Sequence, residues 1–158
     1  MLGRVALAAF VLLLGSCATV ALRSPPRIDV TGVALERVEG PDAYFRVDLE
    51  LTNRVDEAVA IDGLEGTLAI EGEEVAHAQL ARAPVHLPAN GTANAQMTAH
   101  TGMDAILRAV AAAMRKGATL LAPGARPVLH YTLKGTATLA GGGRFPFAKS
   151  GELGERKP

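Results

Sequence analysis

The sequence has no tryptophan, one cysteine and few aromatic residues, which make up 4% of its 158 positions. A lone thiol cannot close an intramolecular disulfide, so the fold must stand on burial alone even if the chain is exported. Scarce aromatics leave few platforms on which bases or sugars could stack, and the core has to be mostly aliphatic. An excess of either charge is missing too, since 16 Lys and Arg residues stand against 16 Asp and Glu. With no surplus of positive charge to neutralise a phosphate backbone, nucleic acid is not an expected partner. Serine is nearly absent beyond residue 16, occurring only at Ser24 and Ser150, which removes serine-hydrolase chemistry. The four histidines, His77, His86, His100 and His130, have no HxH or HExxH spacing, so neither a metal site nor a cofactor is expected. Carboxylates are common but fall on expected outward strand faces and turns, where no catalytic pair stands out. The expectation is a protein that is not an enzyme.

What the chain does have is 49% hydrophobic content, ample for the core of one domain. Its N-terminus carries one positive charge, Arg4, then ten apolar residues from Val5 to Leu14, then small residues. This is the pattern of an export signal, and ten residues in a helix cover about 15 Å, half of a hydrocarbon core. Leu14-Gly15-Ser16-Cys17 resembles the bacterial lipobox, in which the cysteine takes a diacylglyceryl thioether and becomes the new N-terminus. That resemblance implies a signal peptide at residues 1–16, lipidation at Cys17 and a lipidated tether over 17–26, where Ser24-Pro25-Pro26 favours extended backbone. Ala18 in place of Asp implies sorting to the outer membrane, facing the periplasm. The alternative is an ordinary signal cleaved after Ala18, since Ser16-Cys17-Ala18 also satisfies the small-x-small rule.

From Tyr44 to Thr52, polar Tyr44, Arg46, Asp48, Glu50 and Thr52 alternate with Phe45, Val47, Leu49 and Leu51, the period of a half-buried strand. Ile28 to Val38 predicts an earlier strand kinked at Gly32, and Glu39-Gly40-Pro41-Asp42 the turn between the two. Val59 and Ile61, a turn at Asp62-Gly63, and Leu64, Leu68 and Ile70 follow, then a hairpin tip at Glu71-Gly72-Glu73-Glu74. Val75 to Arg82 predicts a returning strand of ambiguous face, Pro84 to Pro88 an edge-like piece, and Asn90-Gly91 a reversal. Ala93, Ala95 and Met97 then form the inward side of another strand.

The period changes at Thr101, where Thr101-Gly102-Met103-Asp104 has the form of a capping box and predicts a helix over 103–116. Met103, Ile106, Leu107, Val110, Ala111 and Met114 make one stripe, expected to pack on the sheet. Asp104 is placed to pair with Arg108, and Gly117 to supply a left-handed cap. After a proline-rich loop, Leu129, Tyr131 and Leu133, then Ala137 and Leu139, predict a long strand. Gly141-Gly142-Gly143 predicts a hairpin loop, Arg144 to Phe147 a closing edge strand containing Pro146, and residues 154–158 a frayed tail.

The order of these features resembles the type 2 late embryogenesis abundant family, whose module is the water stress and hypersensitive response domain. The resemblance covers about residues 27–153. It rests on Leu51-Thr52-Asn53, Ile61-Asp62-Gly63-Leu64, the hairpin around Gly72, Leu87-Pro88-Ala89-Asn90-Gly91, and Phe145-Pro146-Phe147 through Ser150-Gly151-Glu152. Where the family carries Asn-Pro-Asn, this chain has Asn53 followed by Arg54 and Val55. The resemblance implies a mainly β antiparallel sandwich of immunoglobulin or fibronectin III type with one packed helix, and a non-enzymatic role linked to desiccation or envelope stress. The expected partners are a membrane, through Cys17, and an envelope protein or lipid. The alternative is a carrier that holds an apolar or amphiphilic envelope molecule between the sheets or under the helix, with Ala93, Ala95 and Ala137 leaving room.

Overall fold

The structure is a computed structural model and describes residues 24–117 and 128–153. The expected signal peptide at 1–16, Cys17, most of the tether, the proline-rich loop and the tail at 154–158 lie outside the described residues. Eight strands and one helix follow in order: β1 Arg27–Glu39, β2 Asp42–Thr52, β3 Val59–Ile70, β4 Glu73–Leu80, β5 Val85–Leu87, β6 Thr92–Gly102, α1 Met103–Arg115, β7 His130–Leu139 and β8 Arg144–Glu152. All pairings are antiparallel. They form one curled sheet in the order β1-β2-β6-β4-β3-β7-β8, with β5 continuing the line of β4 along β3. The expectation of two separate sheets is therefore met only in its coarser part: the protein is mainly β and antiparallel, with one short helix. A ladder between β4 and β6, from His77↔His100 to Leu80↔Met97, makes the pairing continuous.

The alternation in β2 has the expected outcome. Phe45, Val47, Leu49 and Leu51 are buried, and across the ladder Ala95, Met97 and Ala99 of β6 join them. Ile61, Leu64, Leu68, Tyr131, Leu133, Ala137 and Leu139 complete an aliphatic core. Full burial of each leucine contributes about 1.5–3 kcal/mol, which is what holds a fold without disulfides.

Four extra residues break the period of two, and each bends a strand. Thr31 and Glu36 are unpaired in β1, the first beside the expected kink at Gly32. The predicted turn at Asp62-Gly63 is instead a bulge inside a continuous β3, with Ile61 opposite Leu139 and Gly63 opposite Thr138. The extra residue there moves the buried set from Ile61 to the even positions Leu64, Leu68 and Ile70, so the sheet curls without the chain reversing. In β4 the bulge lies at Val75, which leaves adjacent Val75 and Ala76 both buried and explains why the face of this strand reads ambiguously.

True reversals occur at Gly40, at Glu71-Gly72 and at Asn90, all with positive φ. The registers gather Arg27, Thr52, Leu87, Thr92 and Leu139 at one end of the sheet. Glu39, Asp42, Ile70, Gly102 and His130 lie at the other, and α1 starts there, packing on β4 and β6.

The face that the helix buries differs from the predicted stripe. Ala105, Ala109, Ala112 and Ala113 are buried, whereas Leu107 is 61% and Met114 49% exposed. Two fixtures set this rotation. At the start, only Gly102 follows Thr101, and the Met103 N–H donates to the Pro41 carbonyl at 2.7 Å. At the end, Lys116 Nζ donates to the Glu71 carbonyl at 2.6 Å. Between these anchors the small side chains let the helix backbone lie close to β4. The expected capping box is not formed: the N-cap is Gly102 with no side-chain bond, and the Thr101 hydroxyl, buried, donates to the Val75 carbonyl instead. The expected pairing of Arg108 with Asp104, at 2.6 Å, and the left-handed Gly117 are both present.

Candidate functional site

The strands carry the polar residues outward as their alternation demands, and the sheet brings together two histidines that are 23 positions apart. His77 of β4 stands directly opposite His100 of β6. His100 Nε2 is 3.4 Å from Asp42 Oδ1, and its ring centroid is 5.0 Å from that of Tyr44, over which the Arg37 guanidinium sits at 4.0 Å. His77 Nε2 lies 3.9 Å from Glu74 Oε1. This forms an exposed polar band across β1, β2, β6 and β4. Among the described residues, no three His, Cys, Asp or Glu side chains converge on a point where they could hold a metal ion. His86 is on β5, and His130 opens β7 at the helix end. Cys17, the expected lipidation site, lies outside the described residues.

Two residues tie loops together. The Glu71 side chain keeps only 8% of its exposure; its Oε1 accepts the His130 N–H at 2.7 Å, and its Oε2 lies 3.4 Å from Lys116 Nζ. That backbone N–H, ahead of the Lys116 ammonium, holds the carboxyl below its ordinary range, so Glu71 stays ionised and pins the hairpin to α1 and β7. Asn53, at 2% exposure, does the same at the opposite end: its Nδ2 donates to the Glu57 carbonyl at 2.8 Å and to the Pro88 carbonyl at 2.9 Å.

Two surfaces remain without an internal explanation. One is the outer side of α1, where Leu107 and Met114 stand among Arg108, Arg115 and Lys116. The other is a groove of about 560 Å³ between β5 and the first half of β6, lined by Arg82, Pro84, Val85, His86, Ala93 and Asn94 among others. Sequence reasoning missed the groove and placed Leu107 and Met114 on the face packed against the sheet. The helix signal was misleading because Leu107 and Met114 face out while Ile106 packs against the core, and the groove arises from a divergence of two strands that no spacing encodes. Among the described residues, no helix is long and apolar enough to cross a membrane.

Residues 48–151 match the family model for late embryogenesis abundant protein, LEA_2. The chain belongs to that family. The match starts inside β2 and ends in β8, so it contains the groove, the histidine pair, Asn53 and the helix. Two solved structures share the fold of this LEA_2 protein. One is a protein from Archaeoglobus fulgidus, at 10% identity and TM-score 0.53, covering 84% of this chain and 98% of that one. The other is a protein from Arabidopsis thaliana solved in solution, at 16% identity and TM-score 0.58, covering 80% and 79%. No sequence among the curated proteins matches the chain. Membership of the family marks it as a stress- or desiccation-related protein.

Proposed function

We propose that this protein is a non-enzymatic, lipid-anchored component of the bacterial envelope that acts as a stress-protective or interaction module. The family match over residues 48–151 supports the stress-related part of this reading, and Leu14-Gly15-Ser16-Cys17 supports the anchor. Two features of the described residues support it: an outer surface made of solvated ion pairs, and an interior filled by aliphatic side chains. In the finer description of the fold, the curled sheet is an immunoglobulin- or fibronectin-like sandwich. Its halves, β1-β2-β6 and β4-β3-β7-β8, are joined by the short His77–Leu80 ladder to β6.

Lipidation at Cys17 sets a geometry. Residues 17–26 reach at most about 36 Å when extended. They enter β1 at Arg27, which bounds how far that end of the sheet stands from the bilayer; the helix end lies 13 strand residues away. An outer-membrane location follows from Ala18. The carrier alternative has less support, because alanines seat α1 close to the sheet and Ala137 is fully buried.

The test is a deletion strain exposed to drying, osmotic shock and detergent, then complemented with the unaltered chain or with Cys17→Ala. The expected result is a survival defect that only the lipidated form restores, with Cys17→Ala recovered in the soluble fraction. A mature N-terminus at Thr19 would refute the anchor, and normal survival of the deletion strain would refute the protective role. Native mass spectrometry of the protein taken from its own membrane addresses the carrier alternative, which a bare mass excludes.

A further inference from the structure

His77 and His100 face each other across the short ladder by which β4 meets β6. Residues directly opposite in an antiparallel pair share one face of the sheet, with Cβ atoms about 4.5–5.5 Å apart. Both rings stand on the open face, their side chains 79% and 55% exposed, and both line a shallow groove of about 270 Å³. Two imidazoles at that separation can reach one cation with bonds of about 2.0–2.1 Å, and an open groove leaves its remaining positions to water. The surrounding charge favours a cation as well. Arg108 is held by Asp104 at 2.6 Å, and Arg37 by Glu39 at 2.8 Å. Among the described residues, Asp42 and Glu74 have no Lys or Arg partner, and lie beside the imidazoles alone, at 3.4 and 3.9 Å.

We propose that His77 and His100 together bind one divalent transition-metal ion of the Zn²⁺ and Cu²⁺ class, with water completing its coordination. Imidazole nitrogen suits these ions, whereas Mg²⁺ and Ca²⁺ require oxygen ligands. Asp42 and Glu74 stay outside the ligand set, because among the described residues no third His, Cys, Asp or Glu converges with the pair. Their part is to offset the charge of the ion and to accept hydrogen bonds from its water. The ion joins β4 to β6 where they meet only from His77↔His100 to Leu80↔Met97, so binding stabilises the folded sheet at its shortest ladder between long strands. His86 lies opposite Ala60 and His130 opposite Glu152, so neither has a histidine across from it.

The test titrates the full chain in detergent with Zn²⁺ alone and follows the histidine ring signals by NMR and the unfolding midpoint by thermal melts. One ion per chain should shift the ring signals of His77 and His100 and leave those of His86 and His130 in place. At free Zn²⁺ 100 times the dissociation constant, the midpoint should rise by about 5 °C or more. His77→Ala and His100→Ala should each weaken binding about tenfold or more, and His86→Ala should leave it unchanged. Mg²⁺ at the same concentration should move neither the ring signals nor the midpoint. The proposal is overturned if Zn²⁺ leaves the His77 and His100 signals unmoved, if it shifts those of His86 or His130 instead, or if either alanine variant of the pair binds as well as the unaltered chain. An equal effect of Mg²⁺ would also overturn it, by assigning the binding to the carboxylates. Should an alanine variant fail to fold, the ring signals of the unaltered chain decide.

Discussion

Lys149 Nζ lies 3.0 Å from Asp29 Oδ1, a bond between the last and first strands of the sheet that spans 120 residues of sequence. Arg27 bonds the same carboxylate from within β1. Because β1 and β8 otherwise touch little, this pair closes the curl on one side, where no backbone ladder does.

Breaking that seam should cost little at neutral pH and nothing in acid. Burial pushes the Asp29 carboxyl up, but the bonds from Arg27 and Lys149 outweigh it and hold its pKa below the ordinary 3.8. A depressed carboxylate adds stability above its unfolded pKa and loses it as pH falls through the folded value. Asp29→Asn should therefore lower the unfolding free energy by about 1 kcal/mol at pH 5–7, the gap closing below about pH 4. Urea titrations at several pH values read this directly. A gap that stays constant into strong acid would show that the carboxylate charge plays no part.

The faces of β2 are tested by adjacent residues. Leu49 is 1% exposed, whereas Glu50 is on the open face. Leu49→Asp buries a charge with no partner and should abolish cooperative unfolding at neutral pH, while Glu50→Lys should shift stability by less than about 0.5 kcal/mol. Circular dichroism melts of both variants suffice, and equal effects would contradict the assigned faces.

The helix offers the sharper contrast, because sequence pattern and structure disagree about it. Ala113 is fully buried, and Leu107 is 61% exposed. Ala113→Leu should overpack its buried site and cost about 1–3 kcal/mol, whereas Leu107→Gln should stay within about 0.5 kcal/mol. If the stripe read from the sequence were the packed one, the order would reverse.

These cases show what was legible in the sequence. Strand β2 could be read because one face is wet and one dry, so its period is strict from Tyr44 to Thr52. Asn90 and Gly72 marked reversals because few residues accept positive φ. The helix could be located but not oriented, because the moment of its large side chains says nothing about anchors at Pro41 and Glu71, which are far away in sequence. Bulges at Asp62 and Val75 were misread as a turn and an ambiguity, since an extra residue interrupts the period just as a reversal does. The groove was invisible, because it depends on β5 following β3 rather than its sequence neighbour β6. The pairing of His77 with His100 was hidden likewise, as register across β4 and β6 is set by the whole ladder.

Asn53 is the residue whose loss should cost most for its size. Its Nδ2 donates to the carbonyls of Glu57 and Pro88, its Oδ1 accepts the Val55 N–H at 3.2 Å, and its own N–H donates to Gly91 at 2.8 Å. The turn after β2 and the turn before β6 are thus joined through one buried amide. Asn53→Ala leaves two carbonyls and one N–H unmatched and should cost about 3 kcal/mol. Asn53→Asp keeps the shape but turns both donors into acceptors aimed at carbonyls, which penalises the charged form and raises the folded pKa of the new carboxyl. Its penalty should therefore exceed that of alanine at pH 7 and shrink as pH falls toward about 4, where protonation restores one donor. Thermal melts of both variants at the two pH values separate these effects. An Asn53→Asp protein as stable as the unaltered chain at pH 7 would mean that the amide donors do not hold the two turns together.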